Sequence, residues 1–456
     1  MSSLLDSTCF VRAARGGLGS ADAATAAALA FFDGALYLGT GALATGLAPP
    51  PARLMRLEDG QWLTVLESAA SDEAGEAVVD ADLDPALLVA VHEVEDEARA
   101  TPDEDGYVAL ASLRMGDEET PALYVGTASP QGGRVLRSPD GLSFEPVSEP
   151  GFGNPACYAV ASLCGHDGRL FAATRGAIEG PLLDTAASAH PVVHVCLDPV
   201  AGAWREASLP GFGDPDNRAI TSLASVGGYL YAGTCNDERG FQLWRTRAEG
   251  EAPFAWEQVL VDGAFAFNAN RAVAALAGFG DALYVGTQTG GPGYAEAPDL
   301  GQDAAELIRV NADGSWDLVV GQPRFTPIGI KAPMALMGAG FDDPYNAAFE
   351  SLCAHEGALY LGTRHWGGFA ALGENEGAIT GGYQLWASPD GTSWELVLED
   401  GAGNPAAVAL TSLISTPEGL FAGSANVEPL LSLAAFLKDR DGDLDTRAGF
   451  EILRGR

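Results

Sequence analysis

Leu36-Tyr-Leu-Gly-Thr40 returns along the chain as Leu123-Tyr-Val-Gly-Thr127, Leu170-Phe-Ala-Ala-Thr174, Leu230-Tyr-Ala-Gly-Thr234, Leu283-Tyr-Val-Gly-Thr287, Leu359-Tyr-Leu-Gly-Thr363 and Leu420-Phe-Ala-Gly-Ser424, seven copies in all. An apolar run ending in Ser-Leu or similar precedes each copy, as in Ala219-Ile-Thr-Ser-Leu223. A short glycine turn joins the two, for example Gly227-Gly228 or Glu356-Gly357, which is hairpin chemistry. A third strand and a tight turn into a fourth follow, clearest in Gln384-Leu-Trp-Ala-Ser-Pro-Asp-Gly-Thr-Ser-Trp394-Glu-Leu-Val397. An aromatic opens the fourth strand at Trp62, Phe144, Trp204, Trp256, Trp316 and Trp394.

Four short antiparallel strands per unit, repeated radially, predict an all-β fold: a single seven-bladed β-propeller over residues 1–456. The blades span roughly 24–67, 107–148, 158–208, 219–261, 272–320, 347–398 and 409–454. The last lacks an outer strand, and residues 7–12 are placed to supply it, closing the ring and covering an exposed edge. Nearly all the long insertions fall on one face, where second-to-third and inter-blade connections lie, so they should build a cap there. Two read as helical: one from Asp84-Pro85 to about Arg99, and one from Glu428-Pro429 with Leu430, Leu433, Ala434 and Leu437 at helical spacing. Leu431 and Phe436 make the second apolar all round, which predicts burial.

The formal charge of −37, with only Lys331 and Lys438 as lysines, repels phosphate backbones and anionic lipid. Nucleic acid and membrane are therefore excluded as expected partners. No apolar run is long enough for a membrane helix and no secretory signal is visible, so the expected location is cytoplasmic. The six cysteines form no CxxC and read as reduced core thiols.

The candidates for chemistry gather where the innermost strands begin. Asn217, Asn270 and Asn346 share one position, read chiefly as a strand cap. The next position carries Tyr158, Arg218 and Arg271, and the second strands end at Arg175, Cys235, Gln288 and Arg364-His365. The arginines either form an anion-accepting site or pair with local acids. Glu350 stands where other blades have Ala161, Thr221, Ala274 and Thr411; burial would suit it to general-base work, and a salt bridge to Arg218 or Arg271 is the alternative. Trp366 has no blade role and is placed to stack on a ligand. Catalytic roles fall to Glu350, His365, Arg218 and Arg271; substrate contacts fall to Tyr158, Arg175, Cys235, Gln288, Asn346, Arg364 and Trp366. No cofactor is expected beyond calcium, for which Asp439, Asp441, Asp443 and Asp445 alternate in a stretch that reads either as a calcium loop or as a solvated acidic segment.

The Ser-Pro-Asp-Gly turns at 138–141 and 388–391 resemble degenerate Asp-box repeats. The run Gly211-Phe-Gly-Asp-Pro215, Asn217, Ser222-Leu223, Leu230-Tyr-Ala-Gly-Thr234 and Gln242-Leu-Trp-Arg245 is similar to a broad bacterial propeller group, and to the propeller half of the cyanobacterial alkylating enzymes that build paracyclophanes. That resemblance implies joining an alkyl chloride to an aromatic or carboxylate nucleophile. Two functions are open: a small-molecule binder, extending to a metal-independent alkylating or cyclising enzyme that works by acid/base chemistry on an anionic ligand, or a non-catalytic propeller that binds a protein partner.

Overall fold

Each Leu-Tyr-X-Gly-Thr segment is the second strand of an antiparallel pair. The pairs are Thr25–Phe32 with Ala35–Gly41, Gly106–Leu113 with Ala122–Ala128, Ala159–His166 with Arg169–Arg175, and Asn217–Val226 with Tyr229–Asn236. Ala272–Phe279 with Ala282–Gln288, Asn346–His355 with Ala358–His365, and Ala407–Thr416 with Gly419–Asn426 complete them. Two outer strands hang from each pair, such as Arg53–Glu58 and Gln61–Glu67. These elements come from a computed structural model, which describes residues 4–20, 24–41, 50–68, 104–116, 120–177, 191–200, 202–289, 304–373, 380–437 and 445–456.

Neighbouring pairs are hydrogen-bonded to one another. Gly41 bridges Gly106, Ala128 bridges Ala159, Arg175 bridges Ala219 and Cys235 bridges Ala272. Gln288 bridges Ala348, Arg364 bridges Ala409 and Ala425 returns to Thr25. The prediction of a seven-bladed propeller, seven sheets each complete in itself, is corrected by this pairing. The inner strands form a closed 14-strand antiparallel barrel within one 28-stranded sheet. The physical reason is side-chain size: every bridge has Gly or Ala on at least one side, which lets backbones approach to ladder distance.

Each first strand also carries a β-bulge at one register, leaving Ala27, Val108, Ala161, Thr221, Ala274, Glu350 and Thr411 unpaired. Two residues on, every repeat has leucine: Leu29, Leu110, Leu163, Leu223, Leu276, Leu352 and Leu413. Each packs into its own apolar layer between neighbouring repeats. Full burial of a leucine contributes about 1.5–3 kcal/mol; Leu29 and Leu223 are buried and the other five partly so.

Three of the aromatics that open outer strands, Trp62, Trp204 and Trp256, also bond a carbonyl of a neighbouring repeat. Trp204 Nε1 donates to Val147 O at 2.6 Å and Trp256 Nε1 to Ala207 O at 2.9 Å, both on the preceding repeat. Between the termini, Phe10–Ala14 pairs antiparallel with Ile452–Gly455, Arg12 meets Glu451 at 2.8 Å, and Trp62 Nε1 donates to Ala13 O at 3.3 Å. The strand starts later than residue 7 because Asp6 caps a 3-10 turn over Ser7–Cys9.

The helix predicted from Asp84 to Arg99 lies outside the described residues. Glu428–Leu437 is helical, but it buries Leu431 and Ala435 while Phe436 is exposed, so it covers the barrel with one face and is not buried all round. All six cysteines are free thiols. Among the described residues no helix is long and apolar enough to cross a membrane.

Candidate functional site at the bridged rim

The seven bridges mark one end of the barrel, and the residue before each first-strand bridge stands at its rim. In ring order these are Ala24, Asp105, Tyr158, Arg218, Arg271, Ala347 and Val408. The second strands present Gly41, Ala128, Arg175, Cys235, Gln288, Arg364 and Ala425 at the bridges themselves. One arc is therefore polar, from Asp105 to Gln288. The opposite arc is apolar, with Ala347, Trp366, Val408, Ala409, Ala425 and Val427 packed together and Phe369 of the helix Gly367–Gly373 against them.

Within the polar arc, Asp237 sits between two arginines: Arg218 Nε lies 3.1 Å from Oδ2, and Arg271 Nε donates to Oδ1. Cys235 is buried between Ala219 and Ala272. One repeat earlier, the Tyr158 hydroxyl donates to Asp105 Oδ2 at 2.5 Å. Burial lifts the Asp105 carboxyl above its ordinary range, against the opposing effect of the tyrosine bond. Burial, and then the Asp105 charge, push the Tyr158 phenol up as well.

Arg175 lies 5.9 Å from the centre of the Tyr158 ring, where guanidinium and ring attract. Its Nη1 donates to Gly176 O at 3.1 Å. Desolvation lowers its pKa, and among the described residues no carboxylate pairs with it. Arg218, Arg271 and Arg364 all have acid partners; among the described residues Arg175 has none.

Glu350 pairs with Arg364, and not with Arg218 or Arg271: Nη2 donates to Oε1 at 2.7 Å and to Oε2 at 2.6 Å. The general-base reading of Glu350 thus meets a carboxylate already held by a guanidinium. His365 accepts the Gly367 N–H on Nδ1 at 3.1 Å and places Nε2 3.0 Å from Asp343 Oδ2, which fixes a neutral ring as the Nε2–H tautomer. Gln384 Nε2 also donates to Asp343. Gln242 donates likewise to Asp214 in the fourth repeat, so His365 belongs to a recurring scaffold network. Asn346 is fully buried and donates to Gly340 O and Gln384 Oε1, as Asn217 does to Gly211 O and Gln242 Oε1. Trp366 is 3 % exposed, edge-on to Phe369, so stacking on a ligand is corrected to packing in the apolar arc. Gln288 stays at the rim as the bridge to Ala348.

Asp439, Asp441 and Asp443 lie outside the described residues, and Asp445 is exposed. Among the described residues no cluster of three or more His, Cys, Asp or Glu side chains is placed to hold a metal. The acids Asp105, Asp237 and Asp343 were not predicted for the site. Asp105 had a signal, since it aligns with Tyr158, Arg218 and Arg271 when each strand is counted back from its leucine.

No family model and no curated protein matches the chain. Among solved structures it is similar to a puromycin hydrolase, with 13 % identity and a TM-score of 0.45 over 93 % of this chain and 54 % of that one. The chain thus spans about half the length of that protein. It is also similar to the SapL1 lectin in complex with alpha methyl fucoside, with 12 % identity and a TM-score of 0.40 over 84 % and 99 % of the two chains. The Bacteroides ovatus xyloglucan protein GH43B matches at 15 % identity and a TM-score of 0.28 over 56 % and 48 %. All three TM-scores lie below 0.5, so the likenesses assign neither fold nor activity.

Proposed function

We propose that the bridged rim binds a small molecule through an anionic group, with Arg175 as its anchor. The observation that carries this is a half-buried guanidinium that, among the described residues, bonds one carbonyl and no carboxylate, while Arg218, Arg271 and Arg364 all pair with acids. A carboxylate or phosphate supplies the paired acceptors that the described residues do not offer Arg175. Any proton transfer on the bound ligand falls to Asp105 and Tyr158, the titratable pair beside Arg175.

Titration calorimetry with aliphatic carboxylates tests the reading. Binding that weakens about tenfold or more in R175M is expected. Equal affinity in wild type and R175M overturns it.

A protein partner is the second reading, favoured by the hairpin Arg324–Thr326 and Gly329–Lys331. Phe325 is 84 % exposed, and Ile328, Ile330 and Leu336 are also bare, which is uncommon for a monomer surface. A two-stranded sheet with open edges fits a second copy of itself. Light scattering should then report a dimer that F325S/I330S dissociates; a monomeric wild type rules this reading out.

A further inference from the structure

We infer that the ligand of this rim carries two anionic groups, the second held by Arg364. The inference rests on the reading above, with Arg175 as the first anchor. Arg175 and Arg364 occupy the same position in their repeats, each bridging to an alanine of the next, Ala219 or Ala409. The other five bridge positions, Gly41, Ala128, Cys235, Gln288 and Ala425, carry no cation. The two arginines stand three repeats apart on a ring of seven, close to opposite one another.

Glu350 satisfies only part of Arg364. A single nitrogen, Nη2, reaches both carboxylate oxygens. Nε is buried with no partner, and among the described residues Nη1 makes no hydrogen bond. The side chain is 7 % exposed; leaving Nε unmet costs folding free energy, while Nη1 is not enclosed and can take an acceptor. Glu350 neutralises the guanidinium through Nη2 alone, leaving Nη1 for a carboxylate or phosphate oxygen.

The test uses the full chain and two probe series, linear α,ω-dicarboxylates of increasing length and the matching monocarboxylates. A dicarboxylate of one optimal length should bind about tenfold or more tightly than its monocarboxylate, because the second contact is intramolecular. R364M should lower it to the monocarboxylate level. E350Q/R364M repeats the measurement without a stranded buried carboxylate, should the single variant fail to fold. Dicarboxylate binding equal to monocarboxylate binding, or untouched by loss of Arg364, overturns the inference and leaves the Arg175 reading in place. Binding of both series indifferent to R175M overturns the reading itself.

Discussion

Arg364 donates one nitrogen to both oxygens of Glu350, from the end of one inner strand onto the bulge of its partner strand. Six equivalent bulges carry Ala, Val or Thr, where each threonine hydroxyl bonds a carbonyl of its own barrel: Thr221 to Val273 O and Thr411 to Ala26 O. Removing one partner of a buried pair costs about 3–5 kcal/mol, whereas replacing both with apolar groups is often near neutral. E350A should therefore lower the denaturation midpoint sharply, and E350A/R364M should recover most of the loss. A single variant as stable as wild type would show that the pair is fully solvated.

The turn glycines are fixed by a neighbour. A Cβ on Gly141 would meet the Tyr37 hydroxyl at 1.9 Å, and one on Gly391 would meet that of Tyr284 at 1.9 Å. Both also have positive φ, +71° and +76°. G141A should destabilise by about 2–3 kcal/mol, overpacking and backbone strain together. Y37F/G141A should recover part of that, read as a shift in melting temperature.

Two aspartates should respond to pH with opposite signs. Backbone bonds from Ser143 and Leu142 hold Asp140 down to about 2, so its contribution is complete above the ordinary value of 3.8 and is lost as pH falls toward 2. D140N should melt below wild type at pH 6 and match it near pH 2. Asp105 is raised by burial, so its stabilising protonated form is present below 3.8 and is lost as pH rises through the raised value. D105N keeps an acceptor for Tyr158 and should melt above wild type at pH 7, with the advantage gone in acid. The reverse order for either variant contradicts the assignment.

The terminal seam is testable by deletion. Removing residues 1–14 takes away Phe10–Ala14 and bares the edge of Ile452–Gly455. Aggregation at micromolar concentration is expected, because an open edge templates pairing with other chains. Restoring residues 4–14 as a synthetic peptide should suppress it. A monomeric, fully stable deletion variant would show that the seam is dispensable.

The chain's own order determined the seven strand pairs, their glycine turns and the aromatic that opens each outer strand. These depend on residues adjacent in sequence, where side-chain period and turn chemistry act locally. The common position of Tyr158, Arg218 and Arg271 followed from the same register. Tertiary structure alone decided that neighbouring pairs join into one barrel, since a bridge such as Arg364 to Ala409 depends on how closely two backbones approach. It also decided which acid each arginine meets: Asp237 between Arg218 and Arg271, Glu350 on Arg364, and none on Arg175 among the described residues. Ion pairs form across space between groups distant in the chain, and an excess of acids in the composition gives every arginine many possible partners.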